Sequence, residues 1–132
     1  MVAQDRIIVA ISNDDFVEPV GSVMCDTNFD KEKHLADLGM LCVKEDQTGK
    51  GIGKLLILES ERRAKEMGCT TMRLEILSPR DWKHPTKTWL DVWYTQKMGY
   101  TKGALEDFTE CFPEHAARLK DPCVFTTYHK DI

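Results

Sequence analysis

The sequence predicts a mixed fold of the α+β class, with one central sheet that is mostly antiparallel and contains one parallel β-α-β crossover. Three observations support this class. The first third of the chain holds three apolar runs separated by short polar stretches. A long amphipathic helix pattern separates the third run from a fourth, and a second helix pattern with two further runs gives the order β-β-β-α-β-α-β-β. The length of 132 residues fits a single domain over residues 1–132.

The first three strands are predicted from their apolar patterns. Residues 6–11 are rich in β-branched side chains, and residues 20–25 form a second run before a polar turn over residues 26–33. Residues 13–15 are turn-like, and residues 34–43 alternate enough to form a third strand. Strands joined by such short turns are expected to form an antiparallel meander.

The longest helix is predicted over residues 51–67. Its apolar residues recur at helical spacing, charged residues occupy the other face, and Gly68 follows as a stop signal. The spaced apolar residues are Ile52, Leu55, Leu56, Ala64 and Met67. A fourth strand follows at residues 71–77, and this crossover predicts that the third and fourth strands run parallel.

The second half contains a shorter helix and two strands. The helix is predicted over residues 86–98, with Trp89, Leu90 and Trp93 on one face and Gly99 as its stop. Residues 100–108 and 123–128 are predicted strands, and residues 109–120 stay unassigned between helix and loop.

A glycine-rich loop joins the third strand to the long helix. It reads Thr48-Gly49-Lys50-Gly51-Ile52-Gly53. The first turn of a helix leaves its N–H groups unpaired and carries the positive end of the helix dipole. Glycines remove the Cβ atoms that would keep a phosphate away from those N–H groups. The loop therefore predicts a pyrophosphate site.

Spacing excludes two common phosphate loops. A Walker loop requires Ser or Thr after its Gly-Lys pair, whereas Gly53-Lys54 is followed by Leu55, and Thr48 stands where that motif has its first glycine. A Rossmann loop requires G-x-G-x-x-G, whereas these glycines occupy alternate positions. The sequence therefore does not favour an enzyme that uses a nucleoside triphosphate.

The stretch resembles motif A of the GCN5-related N-acetyltransferase (GNAT) superfamily. That motif is a strand ending in L-x-V, a turn, and [QR]-x-x-G-x-[GA] opening a helix. Here Leu41-Cys42-Val43 ends the strand and Gly51-Ile52-Gly53 ends the motif, while Thr48 replaces the Gln or Arg and Gln47 lies one residue too early. The order of predicted elements is similar to the family core over nearly the whole chain.

The resemblance implies acetyl-CoA as cosubstrate, with no metal. The residues it assigns to coenzyme A (CoA) are Leu41, Cys42, Val43, Thr48, Gly49, Lys50, Gly51, Ile52, Gly53, Lys54 and Lys87. Most belong to motif A. Many relatives have an asparagine seven residues before the catalytic tyrosine. Counted from Tyr94 that position is Lys87, which could contact a CoA phosphate instead, and counted from Thr95 it is Thr88.

A second resemblance to the family lies in the shorter helix. The family has an aromatic-Tyr pair, three residues, a glycine and an aromatic. Here Trp93-Tyr94 is followed by four residues before Gly99-Tyr100. Either one residue is inserted before the glycine, or Thr95 takes the place of the tyrosine.

The resemblance implies direct transfer of an acetyl group from acetyl-CoA to an amine in a ternary complex. It assigns Tyr94 as the acid for the leaving thiolate and Glu75 as the base for the amine, with Asp37 and His84 as weaker candidates. A backbone N–H near Cys42 or Val43 is expected to contact the oxyanion. The alternative is a non-catalytic CoA-binding or interaction module with the same fold.

Composition bounds the partners and the compartment. The net charge of −4, without a basic stripe, argues against nucleic acid as a partner. No apolar run approaches the ~20 residues of a membrane span. Five scattered cysteines and four scattered histidines form no metal pattern and indicate free thiols in the cytoplasm.

The expected acceptor is a small-molecule or protein amine, and a homodimer is a further expectation.

The family normally has a strand and one or two helices before the meander. Because the first strand begins near Arg6, the domain is expected to be N-terminally shortened: either the sequence is a fragment or the product of an alternative start, or it is a reduced member with an open acceptor site.

Overall fold

The computed structural model describes residues 6–12, 17–107, 114 and 122–132. The elements in chain order are β1 (Ile7–Ile11), β2 (Pro19–Asp30), β3 (Leu35–Val43), α1 (Ile52–Glu66), β4 (Thr71–Pro79), α2 (Pro85–Val92), β5 (Thr101–Asp107) and β6 (Cys123–Asp131). The described strands form a mixed six-stranded sheet in the order β1-β2-β3-β4-β6-β5, in which β3 and β4 are the parallel pair. The predicted α+β class is confirmed.

The chain divides into two compact units. The first comprises Met1–Arg73 with Asp131–Ile132, and the second comprises Leu74–Lys130. Among the described residues, no helix is long and apolar enough to cross a lipid bilayer.

In the first unit, α1 packs on the meander of β1, β2 and β3. Alternate strand residues face the helix, because side chains in a strand alternate between the two sides of a sheet. The buried apolar residues of this core include Ile8, Val23, Cys25, Ala36, Leu38, Leu56, Ile57 and Ala64. Leu55 and Met67 are largely exposed, so the buried face of α1 is narrower than the sequence pattern suggests.

The predicted polar turn over residues 26–33 is wrong, because β2 continues to Asp30. Asp26 pairs with Asp37 and Asp30 pairs with Leu35, with an irregular register between the two pairs. The turn itself occupies only residues 31–34, where the Asp30 carboxylate accepts a hydrogen bond from the Lys33 N–H at 3.2 Å. Cross-strand pairing therefore overrides the low strand propensity of these polar residues.

In the second unit, three tyrosines pack together. The Tyr94 ring lies 5.8 Å from the Tyr100 ring and 6.3 Å from the Tyr128 ring, measured between centroids. By contrast, Trp89 is 60% exposed and stacks on Trp93 with centroids 5.8 Å apart. Tyr94, rather than the two tryptophans, therefore provides the buried side chain of this helical region.

The second helix differs from the predicted span of 86–98. It is α-helical over Pro85–Val92 and continues as a π-helical turn over Trp93–Lys97. Gly99 follows in the left-handed conformation, as the stop signal predicts.

The other strands match their predictions within a few residues. β4 and β6 run two and three residues further than predicted, to Pro79 and Asp131. The predicted turn at residues 13–15, Phe108 at the end of the fifth strand, and the unassigned segment 109–120 except Glu114 lie outside the described residues.

Candidate active site

A β-bulge lies near the C-terminal end of β3. Pairing with β2 is interrupted between Gly39 and Cys42. Met40 and Leu41 both lie opposite Val23, and Met40 adopts a φ of 53° with its side chain 79% exposed. A bulge leaves backbone polar groups outside the regular ladder and redirects the strand. The bulge therefore makes backbone hydrogen-bonding groups available close to Cys42.

The glycine-rich loop begins immediately after β3. A 3₁₀ turn at Glu45–Gln47 leads into it, and the Thr48 hydroxyl donates to the Glu45 carbonyl at 3.1 Å. The Lys50 ammonium donates to the Gln47 side-chain oxygen at 3.1 Å. Thr48 thus stabilises the turn, while Lys50 places a positive charge beside the loop.

The N-terminus of α1 has no side-chain cap. Gly51 is the N-cap residue, with a φ of 80°, and its carbonyl accepts the bond from Leu55 at 3.1 Å. The N–H groups of Ile52, Gly53 and Lys54 precede that bond and have no acceptor within the helix. The first turn contains no acidic residue. This helix end therefore keeps its positive potential and its free donors.

The loop also has room for a ligand. A Cβ atom built on Gly49 or on Gly51 would meet no heavy atom beyond its chain neighbours within 4 Å. Open space, unpaired N–H donors and two nearby lysines, Lys50 and Lys54, fit a bound pyrophosphate. The predicted loop residues are thus brought together in the first unit.

Gly21 on β2, which is not among the predicted site residues, supports this arrangement. A Cβ at Gly21 would lie 3.0 Å from the Cys42 carbonyl oxygen and 3.0 Å from Cγ2 of Ile52. A side chain here would therefore push against both the end of β3 and the start of α1. The available signal was a glycine inside a strand pattern, which often marks close backbone approach.

Glu75 lies on β4 in the second unit. It alternates with buried Leu74 and Ile76, and its side chain is exposed on the other face of the strand. This is the orientation that the alternating pattern predicts.

Asp37, a weaker candidate base, is held in an ion pair. Its carboxylate lies 2.7 Å from the Arg73 guanidinium, and the two side chains are 19% and 12% exposed. Arg73 also lies over the Phe29 ring at 4.7 Å from the centroid. A paired carboxylate is a weak proton acceptor, so the pair disfavours Asp37 as a base.

Tyr94 is 6% exposed, and burial raises its pKa to about 12. Its ring makes an edge contact with Trp93, with centroids 4.9 Å apart. The phenol consequently stays protonated across the physiological pH range. It is available as a proton or hydrogen-bond donor.

The π-helical turn accommodates one residue more than an α-helical turn. The Met98 N–H donates to the Trp93 carbonyl at 3.0 Å, five residues earlier. This supports the insertion alternative, in which the fourth residue between Tyr94 and Gly99 is accommodated by the wider turn. Thr95 donates its hydroxyl to the Asp91 carbonyl at 2.8 Å, so this hydroxyl already has a partner.

Lys87 and His84 line a cavity in the second unit. The Nδ1 atom of His84 is buried and has no hydrogen-bond partner, and its ring lies 5.6 Å from that of Trp82. The surroundings of Lys87 and His84 do not indicate a catalytic role for either residue. Among the described residues, no group of three or more His, Cys, Asp or Glu side chains could hold a metal ion.

Comparison with known proteins gives a family match and a set of similar structures. The acetyltransferase (GNAT) family model matches residues 2–86. One similar structure is an acetyltransferase from Bacillus anthracis str. Ames in complex with acetyl coenzyme A, with a TM-score of 0.69 and 17% identity, covering 96% of this chain and 61% of that chain. This chain therefore spans less than two thirds of that protein. A search of curated proteins found no match.

Two further structures have the same fold. The ribosomal-protein-alanine N-acetyltransferase from Brucella melitensis has a TM-score of 0.66 and 16% identity, covering 96% of this chain and 68% of that chain. A Bacillus subtilis acetyltransferase in complex with CoA has a TM-score of 0.67 and 20% identity, covering 96% of this chain and 76% of that chain. At such identities the likeness shows the fold alone.

The family match covers more than half of the chain. It includes the bulged end of β3, the glycine-rich loop and all of α1. On this match, the chain belongs to the acetyltransferase (GNAT) family.

Proposed function

We propose that this chain is an acetyl-CoA-dependent N-acetyltransferase that transfers acetyl directly to an amine while both substrates are bound. The observation that carries this proposal is the uncapped, glycine-lined N-terminus of α1, which follows the bulged end of β3 within the region matched by the family. Acetyl-CoA or CoA is bound in two of the similar structures. The proposed acceptor is a small-molecule or protein amine, and the proposed compartment is the cytoplasm.

The loop binds the donor. Its pyrophosphate accepts hydrogen bonds from the N–H groups at the start of α1, and Lys50 and Lys54 add positive charge. The pantetheine arm pairs with the backbone of residues 41–43, as an added strand pairs with a sheet edge. Because Thr48 already donates to a backbone carbonyl, its proposed role is to hold the loop in shape.

The chemistry needs a base and an oxyanion contact. Amines are mostly protonated at neutral pH, and Glu75, an exposed carboxylate on β4, is the proposed acceptor of that proton. Attack of the amine on the thioester carbonyl places negative charge on its oxygen. A backbone N–H near Cys42 or Val43, beside the bulge, is proposed to stabilise that charge.

Tyr94 is the proposed donor to the departing thiolate. Its pKa of about 12 keeps the phenol protonated. A free thiol has a pKa near ~8.5, so complete proton transfer from this phenol to the thiolate is unfavourable. Tyr94 is therefore expected to stabilise the thiolate by hydrogen bonding, and the proton reaches the sulfur later from solvent.

A transfer assay tests the proposal. The purified chain is incubated with acetyl-CoA and a panel of small amines and peptide N-termini, and free CoA thiol and acetylated product are measured together. Stoichiometric release of thiol and product with at least one amine is expected. Glu75→Gln should lower the rate at neutral pH and lower it less at alkaline pH, where more of the amine is already deprotonated. Binding of acetyl-CoA without transfer to any amine would instead favour the non-catalytic module.

A further inference from the structure

Asp91 joins the end of α2 to two strands of the sheet. Lys102 on β5 lies directly opposite Tyr128 on β6, and paired residues of neighbouring strands project from the same face. The Tyr128 hydroxyl donates a hydrogen bond to Oδ1 of Asp91, and the Lys102 ammonium lies 3.2 Å from the same oxygen. One carboxylate therefore receives both side chains of a single cross-strand pair. These three residues, which all belong to the second unit, form the Asp91 clamp.

The clamp joins a charged acceptor to protonated donors. Burial alone would raise the pKa of Asp91, but hydrogen bonds from Tyr128 and Lys102 hold that pKa below its usual value. Tyr128 is 2% exposed, and burial together with Asp91 raises the pKa of its phenol. At neutral pH the carboxylate is therefore ionised and the phenol is protonated, which is the combination that gives a strong hydrogen bond.

Tyr128 also contacts Tyr94. Asp91 and Tyr94 are three residues apart, a spacing that places two side chains next to each other on the surface of a helix. The ring of Tyr128 lies 6.3 Å from the ring of Tyr94 between centroids, while its hydroxyl reaches Asp91. A single buried side chain therefore contacts both the anchoring carboxylate and the ring of Tyr94.

The segment that carries Tyr94 is an irregular one. The π-helical turn begins at Trp93, two residues after Asp91. Such turns are rare and occur mostly as single turns within α-helices. The direction in which Tyr94 leaves this turn depends on how the preceding helix is held, and Asp91 holds that helix immediately before the turn.

Stability alone does not explain a carboxylate at this place. The side chains of Asp91 and Lys102 are 32% and 50% exposed, and ion pairs of such exposure contribute little to stability. Hydrogen bonds nevertheless fix the distance and direction between their partners. The main effect of the clamp is therefore on the geometry of the helix end.

We propose that Asp91 is a positioning residue for acetyl transfer: through Tyr128 and Lys102 it holds the end of α2 on β5 and β6 and so fixes the ring of Tyr94. This inference rests on the proposed function, in which the Tyr94 hydroxyl donates a hydrogen bond to the departing thiolate. Asp91 itself touches neither substrate in this role. Its effect on the rate is indirect, because misplacing a catalytic group by ~1 Å can lower a rate by about a hundredfold.

A double-mutant cycle tests whether Asp91 acts through Tyr94. Asp91→Ala should lower kcat by about tenfold with little change in the KM for acetyl-CoA. In a Tyr94→Phe chain the same substitution should have no further effect on kcat, because no hydroxyl remains to be positioned. Losses that simply multiply in the double variant would show that Asp91 acts independently of Tyr94 and would overturn the proposal.

Conservative variants separate the hydrogen bond from the general loss of a side chain. Asp91→Asn keeps an oxygen that accepts from the Tyr128 hydroxyl, so its kcat should lie closer to wild type than that of Asp91→Ala. Tyr128→Phe keeps the ring and removes the donor, and it replaces Asp91→Ala in the cycle if that variant does not fold. Equal losses in Asp91→Asn and Asp91→Ala would contradict the role of the hydrogen bond.

Asp107→Ala is the matched control. The Asp107 carboxylate lies 2.8 Å from the Arg80 guanidinium in the same unit, and its side chain is 19% exposed. Removing it breaks a comparable ion pair without releasing the end of α2, so kcat should stay near the wild-type value. A loss equal to that of Asp91→Ala would mean that any broken ion pair in this unit lowers the rate.

A second measurement requires no activity. The chain contains three tyrosines, so NMR of a chain with labelled tyrosine rings can follow the through-space contacts of Tyr94 with Tyr100 and Tyr128. Asp91→Ala should weaken these contacts, and Asp107→Ala should not. Unchanged contacts in Asp91→Ala would overturn the positioning role even in a chain that transfers acetyl. Weakened contacts in a chain that acetylates no amine would keep this role of Asp91 and reject the proposed function.

Discussion

Gly51 and Gly68 stand at opposite ends of α1 in the same left-handed conformation, with φ values of 80° and 91°. In both places a Cβ would meet open space. A substitution therefore costs mainly backbone strain, about 1 kcal/mol at either site. They differ in that only Gly51 lies at the proposed pyrophosphate site.

The first prediction uses this pair. Gly51→Asp should lower the affinity for acetyl-CoA by at least about a hundredfold, because a carboxylate would repel the pyrophosphate at the positive end of the helix. Gly68→Asp imposes similar strain and the same charge at the other end and should bind normally. Calorimetric dissociation constants measure both. Equal losses would mean that strain, rather than phosphate binding, explains the effect.

The second prediction distinguishes Tyr94 from Thr95. If Tyr94 stabilises the thiolate, Tyr94→Phe should lower kcat by about a hundredfold with little change in the KM for acetyl-CoA. Thr95→Val removes a hydroxyl that already donates to the Asp91 carbonyl and should keep nearly full kcat. Steady-state kinetics on one defined amine compare the two variants. The reverse pattern would assign the role to Thr95.

A third prediction follows from the pKa of Tyr94. Burial raises it from 10.0 to about 12, so below pH 10 the folded and the unfolded chain both keep the proton. Between pH 10 and 12 the unfolded chain loses it first, and the free energy of unfolding should fall by about 2 kcal/mol from this group.

Denaturant unfolding at pH 9 and at pH 11.5 measures this loss. Tyr94→Phe removes the phenol and should make the fall in the free energy of unfolding smaller. A part of the fall should remain, because burial and Asp91 also raise the pKa of Tyr128. An identical loss in wild type and Tyr94→Phe would show that Tyr94 does not keep its proton in the folded state.

At the scale of elements, the contact between β2, the end of β3 and the start of α1 sets the geometry of the loop. The fourth prediction is that Gly21→Ala disturbs it, since the added Cβ would lie 3.0 Å from both the Cys42 carbonyl and Ile52. A loss of about 1–3 kcal/mol in stability and a weaker affinity for acetyl-CoA should appear together.

Gly39→Ala is the matched control for this prediction. Gly39 is a glycine of the neighbouring strand, where a Cβ would meet only the terminal carbon of Met24, at an ordinary 3.5 Å. It should therefore change neither quantity appreciably. Normal acetyl-CoA affinity in a destabilised Gly21→Ala chain would show that the close packing supports the fold but not the loop.

The irregular elements show where sequence patterns stop being informative. The bulge has only a weak signal, Gly39 inside the strand pattern. Met40 itself adopts a left-handed conformation that its side chain disfavours and that pairing with β2 imposes. The π-helical turn has a sequence signal, because four residues separate Tyr94 from Gly99 where the family pattern has three. Which way the turn would accommodate the additional residue depends on the packing of Tyr94 against Tyr100 and Tyr128.

At the scale of the whole molecule, the order of elements and the fold class were predictable from periodicity. α1 has a capping glycine at each end, and the buried faces of β4 and β6 alternate as their sequences do. The loop was predictable because its glycines stand next to a helix start. The boundaries of β2 were not predictable from the sequence, since its pairing with β3 decides them.

Glu75 and Tyr94 illustrate the same limit for the site. Alternation alone places Glu75 on the exposed face of β4. The burial that raises the pKa of Tyr94 arises from side chains distant in sequence and required the fold. The identity of the acceptor amine cannot be deduced from the sequence pattern or from the fold, because chains that share a fold act on unrelated substrates.

The most direct test of acetyl-CoA as the ligand of the loop is a calorimetric titration of the full chain with acetyl-CoA, with ATP and NAD as competitors. Saturable binding near one equivalent is predicted, displaced by CoA and by neither ATP nor NAD, because the loop lacks the spacing of a Walker or Rossmann site. A folded chain that does not bind acetyl-CoA, or that releases it to ATP, would contradict the proposed function.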